Sequence, residues 1–404
     1  MKDFFENAPD LVIDKILENL PIRMAAQTSV LSKQWRRAWL SLKVLSFDKN
    51  FWKEQKNSDW QKCSRIISNI LLYHDGLVHK FDLSIPFDTS RDRMSHSQWI
   101  SFLSKNGVRE ILISKPFSRM DITSYIFRCG EIVRLRLIGC SLNHPPTDFS
   151  GFPNLKHLEL IGVHFNKPNV FRRLIENCKV LQTLHFFSCF GMDHVVVDLP
   201  CLQSLILIGE LESLAFRNIR SLKSISLYSF ESLTVETFDA VNLLANSCQL
   251  QSITFDGHLF KLFVAGGIKR SSSVTFNHLN ELCLRSLSLG EFGVLRDLLS
   301  MIECCPYIMK LDISVTVREN VGQDIVEFNY NYKLDHLREV IISGITGSSA
   351  ELKLVEYLLA ISTVLENLFL KSGELGIESK LTMSSVLMGF PRASPKARLS
   401  FLAN

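Results

Sequence analysis

Twelve times between Val78 and Leu370 the chain repeats one short pattern: an apolar residue, two of any kind, a second apolar residue, one of any kind, and a third. Val78/Phe81/Leu83 opens the series, and further triplets begin at Val108, Ile132, Leu155, Leu181, Leu202, Leu222, Leu250, Leu279, Ile308, Leu337 and Leu365. Successive first anchors lie 20 to 30 residues apart. No other feature restricts the fold as much. The last two anchors of each copy alternate, as a strand with one buried face requires. A unit this small cannot bury its apolar face alone, so copies must stack, each covering the next. The pattern predicts an α/β chain with a parallel sheet in which one strand recurs per copy and a return segment follows it.

The longer copies have room for a helix in the return. Val170/Phe171/Leu174/Ile175/Cys178, Val294/Leu295/Leu298/Leu299/Ile302 and Leu354/Val355/Leu358/Leu359 show helical spacing just before the next strand. The short copies from Leu181 to Leu222 have no such room, and returns through loops or 3₁₀ turns are expected there. Gly266-Gly267 reads as a turn between copies. The series resembles the leucine-rich repeat, which implies a solenoid with the parallel sheet on its concave side and helices or loops outside. Cys140, Val163 and Cys189 stand where that repeat usually carries Asn, so uneven curvature is expected.

Ahead of the array lies a helical unit. Val12, Ile13, Ile16, Leu17 and Leu20 form one apolar stripe, with Pro9 suited to a first helical turn and Pro21 ending the run. A second helix is expected over Arg23 to Val30, and Ser32 is placed to cap a third that carries Trp35 and Trp39 on one face. Lys33, Arg36, Arg37 and Lys43 read as the solvated side of that third helix. Ala8-Pro9-Asp10, Val12-Ile13, Ile16-Leu17, Leu20-Pro21, Thr28-Ser29-Val30-Leu31-Ser32-Lys33, Trp35-Arg36 and Trp39 resemble the F-box, from about Asp3 to Leu45, especially its plant variety. Ala8 and Leu11 depart from the usual Leu-Pro-Asp-Asp opening. The resemblance implies docking on a Skp1-type adaptor through Pro9, Ile13, Ile16, Leu17, Leu20, Pro21, Leu31 and Trp35, or support of that surface by them. Ile13, Leu17 and Trp35 read equally well as internal core. Trp60, Cys63, Ile66, Ile67, Ile70 and Leu71 mark a further helix, with Ser58 or Asp59 as cap and Gly76 as stop, joining this unit to the repeats and covering their first end.

The last 70 residues carry Leu337-Arg338-Glu339-Val340, Glu351-Leu352, Val355 to Leu359, Val364 to Leu368 and Phe390-Pro391-Arg392-Ala393-Ser394-Pro395-Lys396-Ala397. These resemble the FBD domain, found mostly at the C-terminus of plant F-box/leucine-rich-repeat proteins. The region continues the repeat, then adds a helix from about Ser379 to Gly389 and a strand over Ala397 to Leu402. The organisation expected is an F-box over 1–45, a helical joint over 46–77, repeats over 78–333 and an FBD domain over 334–404.

At 46% hydrophobic and 21% charged residues the chain is not composed like a disordered one, and a net charge of +4 without a basic run gives no footprint for nucleic acid. Residues 1–7 lack the apolar core of a signal peptide, and no window approaches a membrane span, so an intracellular protein of nucleus or cytoplasm is expected. The ten cysteines show no Cys-x-x-Cys and read as free, mostly buried thiols. No phosphate loop, nucleophile elbow or metal-binding helix motif occurs; Asp193-His194 and Asp335-His336 are pairs without a third member, and His157 and His185 read as strand side chains. No catalytic residue, metal or cofactor is expected. The family implies a non-catalytic substrate-recognition subunit of a Skp1–cullin–F-box ubiquitin ligase, which holds a protein substrate for ubiquitination. Two alternatives are a small-molecule co-receptor in the same ligase, against which Glu159, Gln182, Ser204, Ser226 and Thr254 offer no basic pocket, and a scaffold that has lost adaptor binding.

Overall fold

The repeated pattern becomes parallel strands, one per copy, in the computed structural model, which describes residues 8–53, 60–86, 94–116, 119–167, 169–192, 194–229, 232–246, 248–270, 275–316, 328–372 and 377–402. The chain forms two compact units, residues 1–193 and 194–404. Ser58, Asp59 and Asp193 lie outside the described residues.

The first unit runs, in chain order, through helices α1 (Asp10–Glu18), α2 (Ile22–Gln27) and α3 (Trp35–Ala38), strand β1 (Val44–Phe47), α4 (Lys49–Lys53), α5 (Trp60–Tyr73), β2 (Lys80–Ser84), α6 (Met94–Lys105), β3 (Glu110–Ser114), β4 (Met120–Ile122), β5 (Arg134–Ile138), β6 (Cys140–Leu142), β7 (His157–Ile161), β8 (His164–Phe165), α7 (Val170–Ile175) and β9 (Thr183–Phe187). Strands β1-β2-β3-β5-β7-β9 pair in that order, all parallel. The anchors align across the ladder: Phe81, Ile111, Leu135, Leu158 and Leu184 are successive partners. β1 was not among the twelve copies, yet Leu42, Leu45 and Phe47 have the same spacing and are buried. Phe47 packs against Phe81 and Phe51 at centroid distances of 5.8 and 5.2 Å. The boundary drawn at 45/46 therefore falls inside a strand.

The second unit contains β10 (His194–Asp198), β11 (Ser204–Gly209), β12 (Ser213–Arg217), β13 (Ser224–Ser229), α8 (Ala240–Ala245), β14 (Ser252–Asp256), α9 (Gly257–Gly266), β15 (Glu281–Leu287), α10 (Val294–Glu303), β16 (Lys310–Val315), β17 (Glu339–Ile345), α11 (Ser349–Ile361), β18 (Asn367–Ser372), α12 (Ile377–Met388) and β19 (Arg398–Leu402). From β11, the strands β13 to β19 pair in sequence order, again all parallel.

All thirty-six anchors of the twelve copies are at most 4% exposed. Each such side chain taken from water contributes about 1.5–3 kcal/mol, so the pattern read in the sequence is also the main source of cohesion. The predicted return helices form as α7, α10 and α11, with every residue of their spacing buried. The short copies differ from expectation. Their returns contain strands, β10 and β12, which pair in parallel as a second small sheet, and β4-β6-β8 do the same in the first unit. The reason is local: in His194-Val-Val-Val-Asp198, Val195 and Val197 point inward, and β-branched residues at period two favour extended chain. Cys140, Val163 and Cys189 are buried beside these sheets, and Cys140 begins β6. Gly266 and Gly267 close helix α9 rather than forming a turn between strands. Gly344 is required at its position: its φ is +78°, and a Cβ there would meet the Val315 carbonyl oxygen at 2.3 Å.

Candidate docking surface

Pro9 and Pro21 each set the start of a helix, with ψ of 142° directing the chain into α1 and α2. Their carbonyls accept the first helical bonds, Pro9 from Val12 and Ile13 at 2.8 and 3.1 Å, Pro21 from Ala25 at 2.9 Å. The expected second helix splits into α2 and a 3₁₀ turn, Thr28–Val30. Ser32 Oγ accepts the Trp35 amide at 3.4 Å and its carbonyl the Arg36 amide at 3.1 Å, so it initiates the third helix, although regular helix covers only α3 before a 3₁₀ turn at Trp39–Ser41. Gln34 closes the unit by donating to the Ala8 carbonyl at 2.9 Å and to Asp10 at 2.8 Å.

This packing divides the eight candidate docking residues. Ile13, Leu17 and Trp35 are buried, together with Ile22 and Ala25, so in this structure they are internal core of the unit. Pro9, Ile16, Pro21 and Leu31 are exposed and Leu20 is half-buried. The docking set read from the sequence left out their neighbours: Leu11 and Val30 are 83% and 86% exposed, and Met24 and Val12, the latter counted in the stripe, are about half exposed. Among the described residues, six of the nineteen exposed large apolar side chains fall within residues 11–31. Leu11 was hidden from periodicity because it lies outside the stripe of α1, and Met24 because α2 is too short to show a period. Isolated exposed apolar residues are ordinary; a concentration of this kind makes the N-terminal unit the candidate for docking. Lys33, Arg36, Arg37 and Lys43 are solvated, as expected.

The surface is tied to the ladder behind it. The Leu40 carbonyl accepts the Asp75 amide at 2.8 Å and meets His74 Nδ1, and the Lys43 carbonyl accepts the amides of His79 and Lys80. Burial holds His74 below its ordinary pKa, against the opposing pull of Asp75. Cys63, Ile67 and Leu71 form the buried side of α5, whose Trp60 stacks on Trp52 at 6.0 Å.

Other candidate chemistry is dispersed. His157 Nδ1 lies 3.0 Å from Thr183 Oγ1, and His185 packs on Phe187. His194 meets Ser213 Oγ at 2.8 Å, while the His336 ring packs tilted against Tyr307 and Asp335 accepts the Thr363 hydroxyl at 2.8 Å. Seven cysteines are buried, Cys201 and Cys248 are exposed, and burial pushes the thiols of Cys129 and Cys140 up to about 12. Among the described residues no group of three His, Cys, Asp or Glu side chains is placed to hold a metal. None of their helices is long and apolar enough to cross a membrane.

The sequence model described as "FBD-associated F-box protein At5g56370, LRR repeats" matches residues 96–244. The chain is similar along 99% of its length to the F-box/FBD/LRR-repeat protein At1g13570 of Arabidopsis thaliana, at 30% identity and over 98% of that protein. F-box/LRR-repeat protein 13 of the same plant is 24% identical, the alignment covering 99% of this chain and 96% of that one. FBD-associated F-box protein At4g13985, also from Arabidopsis thaliana, is 23% identical over 99% and 96%. Among solved structures, a leucine-rich-repeat protein of Leptospira interrogans superposes with a TM-score of 0.36 at 14% identity, covering 82% of this chain and 86% of its own.

Proposed function

The chain belongs to the plant F-box/FBD/leucine-rich-repeat family, and from that membership we propose that it is a non-catalytic substrate-recognition subunit of a Skp1–cullin–F-box ubiquitin ligase. The observation that carries this reading is the exposed apolar surface of the N-terminal unit, centred on Leu11, Val12, Ile16, Met24, Val30 and Leu31 and held in place by Ile13, Leu17 and Trp35. In this reading Leu20 and Pro21 lie within the contact and are buried by the partner, and Pro9 borders it. The strand ladders hold a protein substrate. Ubiquitination then follows from proximity, because a held substrate presents its lysines to the charged conjugating enzyme at high effective concentration. No reacting group of this chain is needed.

Binding of a purified Skp1-type adaptor to the full chain tests the proposal. Replacing Leu20 and Pro21 together with Ala weakens the complex, because truncating buried anchors at an interface costs about 2–4 kcal/mol, roughly 30- to 1,000-fold in affinity. Wild-type affinity in that variant contradicts the assignment of the surface.

A further inference from the structure

In the second unit the ladder ends on β19, and this strand is unfinished. Leu368 and Leu370 of β18 are fully buried, whereas their partners on β19, Leu399 and Phe401, remain half-exposed. The Arg398 amide donates to the Glu366 carbonyl at 2.9 Å. Because successive residues of a parallel strand bond to opposite sides, the N–H and C=O groups of Leu399 and Phe401 point to the outer edge. Among the described residues no strand pairs with that edge. Unpaired edges are templates for another strand.

Among the described residues, the charged side chains of β19 and of the segment leading into it are all cations. Lys371 is on β18, Arg398 opens β19, Lys396 precedes it by two residues, and Arg392 Nη1 donates to the Ala397 carbonyl at 3.2 Å. Lys396, Arg398 and Arg392 are exposed, and among the described residues none of the four cations forms an ion pair with a carboxylate. Elsewhere on these strands cations are paired, Arg285 with Asp312 at 2.9 Å and Lys310 with Glu339 at 3.1 Å.

We propose that β19 is a docking edge for an extended acidic segment of a partner protein, which adds to the sheet as one further strand. Alternate apolar side chains of that segment complete the burial of Leu399 and Phe401, and carboxylates on its other face meet Arg398 and its neighbours. Recognition by added strands takes affinity from main-chain bonds and specificity from alternate side chains. A second copy of this chain is a poor occupant, since two edges of the same positive charge repel. The inference does not depend on adaptor docking.

The test uses the full chain and a fluorescein-labelled peptide in which Val alternates with Asp, with Lys replacing Asp in the control peptide. Fluorescence anisotropy is expected to show saturable binding of the Asp peptide, at least ~10-fold tighter than the control and weaker in high salt. Hydrogen exchange at Leu399 and Phe401 slows on binding. Leu399→Pro abolishes binding, because that amide faces outward and proline there removes no bond to β18. Lys396→Glu, exposed and outside the strand, weakens it without touching the sheet. Equal binding of both peptides, or unchanged affinity in Lys396→Glu, overturns the proposal. So does a concentration-dependent dimer of the peptide-free chain, which would give the edge to a second copy.

Discussion

Ile13 and Ile16 stand three residues apart on one helix, and the fold treats them oppositely. Ile13 is sealed in the N-terminal unit while Ile16 is 39% exposed. Ile13→Ala is expected to cost about 2–4 kcal/mol of stability. Ile16→Asp should change it by less than about 0.5 kcal/mol, the usual range for a surface position. Chemical denaturation of the two variants checks the contrast. The stripe was legible in the sequence, but which half of it faced inward was not, because the inner side is set by where Trp35 and Ile22 pack. Three half-buried histidines give a second prediction at this scale. His74, His157 and His185 are all held below the ordinary 6.5, with burial the first cause in each. The unfolded chain takes up these protons more readily, so their contribution is fully present above 6.5 and is lost as pH falls through the folded values. Melting temperature is expected to drop between about pH 7.5 and 5.5. Replacing His157 and His185 with Gln should flatten that slope; an unchanged slope contradicts the account.

Element by element, α11 shows how a helix end is fixed. Ser348 Oγ accepts the Glu351 amide at 3.4 Å, and buried Glu351 accepts the amides of Thr346, Gly347 and Ser348 at 2.9, 2.7 and 3.0 Å. Glu351→Ala leaves three donors without this acceptor and is expected to destabilise the second unit by about 2–3 kcal/mol, read by denaturation. Strand β1 sets the place to cut the chain. A variant starting at Asn50 removes β1, uncovering Phe81 and its row, and is expected to aggregate, whereas one starting at Leu42 keeps the strand; light scattering distinguishes them. The twelve strands and three of the return helices were legible because their periods are sustained over buried residues. α6 and α9 were missed for different reasons. α6 buries Trp99, Ile100 and Leu103 within a polar sequence, Met-Ser-His-Ser-Gln-Trp. α9 follows β14 directly, with no loop to mark its start; Asp256, the last residue of β14, caps the helix by accepting the Leu259 amide at 2.8 Å. Small sheets such as β10-β12 were beyond reach, since two short extended segments become strands only when another copy aligns them.

For the molecule as a whole, the order of F-box, repeats and FBD was readable from sequence text, and the account turns on its first part. A helical unit of some forty residues buries too little to hide every apolar side chain, and here it leaves its surplus on the outside. That surplus is the proposed adaptor contact, and the most direct measurement is calorimetric titration of a purified Skp1-type adaptor into the full chain and into the double variant Ile16→Asp/Leu31→Asp. Both changes are at exposed positions, so the variant is expected to melt like the wild type. The account predicts a saturable one-to-one complex with the wild-type chain and a loss of at least ~100-fold in affinity in the variant, since a carboxylate would be buried unpaired in the interface. Absence of a complex with the wild-type chain, or equal affinity in the variant, would contradict it.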